Sequence, residues 1–82
     1  MWVVTIYRDY GYHGENYSKS FDEEDEAYDY FEEEIRNEFD SEIEQGLIVD
    51  QEIQNILDNG IYRYETEKIE ILIQIEEVED EG

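Results

Sequence analysis

Thirteen of the chain's 26 aspartates and glutamates fall between Asp22 and Glu44, in the run DEEDEAYDYFEEEIRNEFDSEIE, beside a single base, Arg36. Paired carboxylates can act as general acid and base, as in glycoside hydrolysis. That work needs a carboxyl whose pKa is moved by burial or by a charged neighbour. Among so many acids suitable pairs arise by chance, and these lie in exposed, acid-rich runs with no nucleophile–base constellation beside them. No catalytic residue is assigned, and the chain is not read as an enzyme. The chemistry left to the run is the binding of cations.

Metal ions are the first class of cation to weigh. His13 stands alone in a Tyr- and Gly-rich segment, with no second histidine and no cysteine in the chain, which argues against a transition-metal site. Hard cations take oxygen ligands. Neither DEEDE nor the later EDE has the alternating ligands and central glycine of a helix–loop–helix calcium loop. Weak, unspecific divalent binding is expected, with no dedicated metal site and no cofactor.

A helix must position the acidic run. At about 100° per residue, Ala27, Tyr28, Phe31, Ile35, Phe39 and Ile43 share one arc, which drifts because their spacing is mostly four rather than 3.6. Asp22 is the expected N-cap. Glu23, Glu24, Asp25 and Glu26 place negative charge at the positive end of the dipole, and Gly46 ends the run. The spacing predicts one helix over 22–45. On its far side Glu26, Asp29, Glu33, Asn37, Asp40 and Glu44 form a ridge with steps of three and four. Like charges so placed cost a few tenths of a kcal/mol per pair. A charge run is ordinarily a solubilising face. Here the repulsion goes uncompensated on the best-formed helix, which favours a binding surface.

The remaining elements read as supports. Trp2–Arg8 alternates as a strand, Asp9–Asn16 reads as a loop, and Tyr17–Phe21 alternates again. After Gly46 and the link Leu47–Val49, Asp50 can cap a short helix with Ile53, Ile56 and Leu57 inside, stopped by Asn59-Gly60. Ile61–Glu65 is a strand, Thr66-Glu67 a tight turn, and Lys68–Glu76 a strand with Ile69, Ile71, Ile73 and Ile75 on one side. The expected architecture is α+β: about four antiparallel strands with one long acidic helix and one short helix on one face, in the order ββααββ. Residues 1–78 form the single domain and 79–82 a frayed acidic tail. Tyr7, Tyr17, Tyr62 and Tyr64 are expected to cover the exposed sheet face. Tyr10 and Tyr12, flanking Gly11, suit recognition, because tyrosine presents area at little entropic cost.

The 82 residues carry a formal charge of −21. High charge with low hydrophobicity often signals disorder, but 15% aromatic residues and sharp periodicities argue for a fold. Self-repulsion should leave that fold marginal at low ionic strength. The N-terminal MWVVTIYRD lacks the basic head and small-residue cleavage site of a signal peptide, and no apolar run reaches membrane-span length. The expectation is a cytoplasmic protein, monomer or homodimer, that binds neither nucleic acid nor membrane directly and has a cationic partner.

Small size, extreme acidity, absent cysteine and an acidic helix laid on a small sheet resemble the small nucleic-acid mimics encoded by phages and mobile elements. These include anti-restriction and anti-CRISPR proteins and inhibitors of DNA-repair or nucleoid proteins. The resemblance is one of overall character, and no functional residue is carried over from it. It implies a stoichiometric inhibitor acting in the host cytoplasm, whose partner is a basic nucleic-acid-binding protein: a nuclease, a CRISPR effector or a restriction enzyme. The residues themselves nominate Glu26, Asp29, Glu33, Asn37, Asp40, Glu44, Tyr10 and Tyr12 as the partner-binding set. The alternatives are a small acidic adapter docking through its sheet edge or tyrosine face, and an antitoxin-like or chaperone-like binder of one basic protein.

Overall fold

The computed structural model describes residues 1–79. Their elements run β1 (Trp2–Asp9), β2 (Gly14–Phe21), α1 (Glu24–Glu38), α2 (Asp40–Glu44), α3 (Asp50–Asn59), β3 (Ile61–Glu65) and β4 (Glu70–Glu77). The protein is α+β, with one antiparallel sheet in the order β2-β1-β4-β3 and helices on one face. The two most apolar strands, first and last in the chain, are paired at the centre. The more polar β2 and β3 take the edges, where half of each ladder faces water. No helix among the described residues is long and apolar enough to cross a membrane.

Register decides which residues share the covered face. Val4, Ile6 and Arg8 oppose Ile75, Ile73 and Ile71 on one side and Lys19, Tyr17 and Glu15 on the other. The core joins Val4, Ile6 and these three isoleucines to Ala27, Phe31 and Ile35 of α1, and to Val49 and Ile53. Tyr17, Tyr62 and Tyr64 do not cover the open face as expected. Each lies directly opposite a core isoleucine, and opposed residues project to the same side of a sheet. Of the four, Tyr7 alone joins Val3, Thr5 and Leu72 on the bare face.

Half of the expected loop Asp9–Asn16 is strand: Asp9 ends β1, and Gly14, Glu15 and Asn16 open β2. The Tyr10 N–H donates to the His13 carbonyl at 2.8 Å and closes a turn of two residues, Gly11 and Tyr12. Gly11 sits at φ +88°, a conformation side chains resist. The β3–β4 turn is shifted one residue from the expected Thr66-Glu67. Thr66 pairs with Ile69, and its hydroxyl accepts the N–H groups of Lys68 (3.3 Å) and Ile69 (3.0 Å). The hydroxyl supplies the local bonding for which such turns otherwise use asparagine or aspartate.

The single helix predicted over 22–45 is two helices. Phe21 stays in the sheet opposite Trp2, so Asp22 and Glu23 carry the chain from the sheet onto its face, and α1 begins at Glu24 without a side-chain cap. The break at Phe39 (φ −99°, ψ 12°) follows from the drift of the apolar arc. Four steps of four residues displace Ile43 by about 160° from Ala27 in a straight helix. The break keeps Phe39 on the core, its ring 5.6 Å from Tyr62, and Ile43 ends exposed. α2 then stops at Gly46, where φ is +81°. Asp50 lies inside α3 instead of capping it, with Val49 as the flanking residue. The predicted tail, Glu79 excepted, lies outside the described residues.

Candidate functional site

The underside of α1 is organised by a base near the end of β1, Arg8. Arg8 alternates with Trp2, Val4 and Ile6, so β1 points it under the helix, where it is buried. Its Nε donates to Glu38 at 2.7 Å, Nη2 to Glu34 at 3.3 Å and Nη1 to Glu15 at 3.3 Å. Burial alone would disfavour its charge. Hydrogen bonds to Glu38 and Tyr17, the Glu38 charge and a further bond to Glu34 outweigh that, and hold the pKa above the ordinary arginine value. The parity of Arg8 with the core residues of β1 was readable, as was the four-residue spacing of Glu34 and Glu38 beside Phe31 and Ile35. That the two features meet was not.

The outer side of α1 has no such partner among the described residues. Glu26, Asp29, Glu33 and Asn37 are exposed on α1, and Asp40 and Glu44 are exposed on α2. The predicted row is thus divided at Phe39. Arg36, the one base of the run, donates to Glu32 at 3.0 Å and leaves the ridge alone. Among the described residues, ion pairs involve only Arg8 and Arg36, and none reaches Glu26, Asp29, Glu33, Asp40 or Glu44. Arg8 therefore binds Glu34 and Glu38 on the inner side of α1, while the ridge carboxylates on the outer side face solvent unpaired among the described residues.

Tyr10 and Tyr12 sit at the β1–β2 turn. This turn lies toward the Glu38 end of α1, because Arg8, two residues before Tyr10, reaches Glu38. Tyr12 is 92% exposed, while Tyr10 stacks on His13 with ring centroids 6.3 Å apart. No hydrogen bond or ring contact ties either to a ridge residue among the described residues. Beside this turn, a cleft of about 270 Å³ is lined by Asp9, Gly11, Glu65, Glu67, Ile69 and Glu70, among others. No group of histidines and acids among the described residues is arranged to hold a metal ion.

No protein-family model matches the chain, and no curated protein or solved structure is similar to it.

The tyrosines beneath the helix carry a pH dependence. Burial, the Glu34 charge and Tyr17 push Tyr30 up to about 12. Burial first, then Glu38 and other charges, raises Tyr62; on the opposite, bare face of the sheet the Asp9 charge first raises Tyr7. A phenol that ionises less readily when folded stabilises the fold fully below its unfolded value, about 10. That contribution is lost as pH rises through the folded value. Unfolding by alkali is expected between about pH 10 and 12, read by circular dichroism alongside tyrosinate absorbance, with Tyr30→Phe less sensitive. All eight tyrosines titrating together with the fold intact would contradict it.

Proposed function

We propose that the protein is a non-enzymatic inhibitor that imitates nucleic acid, occupying the basic groove of a DNA- or RNA-binding protein such as a nuclease, restriction enzyme or CRISPR effector. The carrying observation is the unpaired ridge: Arg8 and Arg36 are engaged elsewhere, Lys19 lies over the Tyr30 ring, and among the described residues Glu26, Asp29, Glu33, Asp40 and Glu44 are exposed without a cation. Steps of three and four residues advance about 4.5–6 Å along a helix, against about 3.4 Å per phosphate along one DNA strand. Because Asn37 is neutral, the ridge offers roughly one anion where a strand has two, within reach of lysines and arginines spaced for phosphates. Arginine grips a carboxylate bidentately as it grips phosphate. The charge of −21 steers the encounter, and the exposed Tyr12 supplies the apolar contact that charge alone lacks. The working compartment is the cytoplasm of the host cell.

The test is to capture the target from a cell lysate, identify it, and titrate the complex against salt. A nucleic-acid-binding target is expected, displaced from its DNA or RNA, with affinity falling steeply as salt rises. The free fold should gain stability over the same range, because its self-repulsion is screened. A target that does not bind nucleic acid, or an affinity indifferent to salt, refutes the mimic.

The bare sheet face favours a second reading, that of an adapter. Val3, Tyr7 and Leu72 are only half-covered there, and Ile61 is exposed. A partner docked on this face would hold at high salt.

A further inference from the structure

The outer edge of β2 pairs with no strand among the described residues, and every residue of the strand except Phe21 is exposed. From Tyr10 to Phe21 the chain has one acid, Glu15, and one base, Lys19, in a molecule otherwise dominated by acids. Hydrogen-bonding parity shows which groups this edge offers. The Tyr10 N–H bonds the His13 carbonyl, and Met1 exchanges bonds with Val78 at 2.8 and 3.3 Å. Alternation along an antiparallel ladder then ties even residues of β1 to β2 and odd ones to β4. Through the register Arg8↔Glu15 and Ile6↔Tyr17, odd residues of β2 bond inward. The N–H and C=O groups of Gly14, Asn16, Ser18 and Ser20 point outward.

We propose that a second copy of the chain pairs along this edge, antiparallel about a two-fold axis through Tyr17, making one continuous eight-stranded sheet. In that register Asn16 lies opposite Ser18 of the second copy and Gly14 opposite Ser20, so outward groups meet outward groups. Glu15 then lies opposite Lys19 twice over, once on each side of the axis. A lysine in mid-edge ordinarily deters pairing; here it meets a carboxylate and selects the register. Sliding to either neighbouring register that keeps the parity sets Glu15 against Tyr17 or Phe21 and loses both ion pairs. Lys19 lies over the Phe21 and Tyr30 rings (5.4 and 4.9 Å) and has no carboxylate partner among the described residues. Glu15 contacts Arg8, yet its side chain is 43% exposed. The other edge, β3, offers five residues, and its centred two-fold pairing sets Arg63 against Arg63.

Two copies of charge −21 repel at long range, so salt should strengthen this contact while weakening one made to a cationic target. The opposite signs keep this inference separable from nucleic-acid mimicry. Sedimentation equilibrium of the full chain is the test, from about 0.01 M to about 1 M NaCl, where the Debye length falls from about 30 to about 3 Å. A species of twice the 10.0 kDa chain mass should grow with salt. Ser18→Pro removes one outward N–H and leaves the inward ladder intact, as proline is tolerated on an edge strand facing solvent. It should stay monomeric with an unchanged circular-dichroism spectrum. In the native dimer the amides of Gly14, Asn16, Ser18 and Ser20 should exchange slowly, and this measurement decides the matter if the proline variant fails to fold. A chain monomeric at all salts, a Ser18→Pro variant that still dimerises, or a dimer with those amides unprotected overturns the proposal. So does a species that keeps growing, which is the mark of head-to-tail edge pairing.

Discussion

Arg8→Leu is expected to leave the chain largely unfolded at low salt. The variant keeps an apolar stem of similar bulk but strands Glu34 and Glu38, whose side chains are only 16% and 15% exposed, side by side under α1. Breaking a buried ion pair by removing one partner costs about 3–5 kcal/mol, mostly from the charge left behind. A domain of this length has about 4–12 kcal/mol of stability in total, and a chain of charge −21 stands low in that range. Glu15 adds little to the loss, because its side chain is 43% exposed and screened. Denaturant or thermal melts read by near-ultraviolet circular dichroism are the check. Arg8→Lys should fall between the wild type and the leucine variant, since an ammonium cannot hold three carboxylates in the fork a guanidinium provides. Combining Arg8→Leu with Glu34→Leu and Glu38→Gln should restore cooperative folding, as apolar replacement of buried ion networks often does. A leucine variant melting at the wild-type temperature would mean that the clamp contributes nothing.

The second large effect belongs to the surface. Glu33→Lys with Asp40→Lys is expected to abolish binding to the basic target while leaving the fold intact. Both positions are exposed and free of ion pairs among the described residues, so reversal relieves repulsion within the free protein. Inside a basic groove, by contrast, two lysines face lysines and arginines, and like-charge juxtaposition costs several kcal/mol. A loss of about a thousandfold in affinity corresponds to about 4 kcal/mol. Isothermal titration or competition against the target's own nucleic acid measures it. The break at Phe39 makes the single variants informative as well. If Glu33→Lys alone accounts for the loss, α1 is the contact; if Asp40→Lys matters equally, α2 follows α1 into the groove. Unchanged affinity in the double variant removes the ridge as the binding surface.

Much of this protein was legible in one dimension. Alternation placed Trp2, Val4, Ile6, Ile71, Ile73 and Ile75 on common strand faces, and the four-residue spacing of Ala27, Phe31 and Ile35 placed a helix over them, because side-chain direction follows from backbone periodicity alone. The same spacing already contained the break at Phe39, since an apolar arc that drifts about 40° per step cannot stay on a flat sheet through five turns. The exposure of Glu26, Asp29 and Glu33 follows from that periodicity too.

Pairings between distant residues were decided only by the tertiary structure. The chain's first and last strands meet at the sheet centre, and the β3–β4 register carries Tyr62 and Tyr64 to the covered face. Arg8 finds Glu38 thirty residues away. On a strand that is otherwise apolar, a lone arginine reads as a strand end facing water until two carboxylates of a helix are known to lie above it. A buried cation is tolerable only beside its anions, and no local pattern in β1 says where those anions are. Composition determined how much negative charge the molecule carries; packing determined which carboxylates Arg8 binds and which are left facing outward.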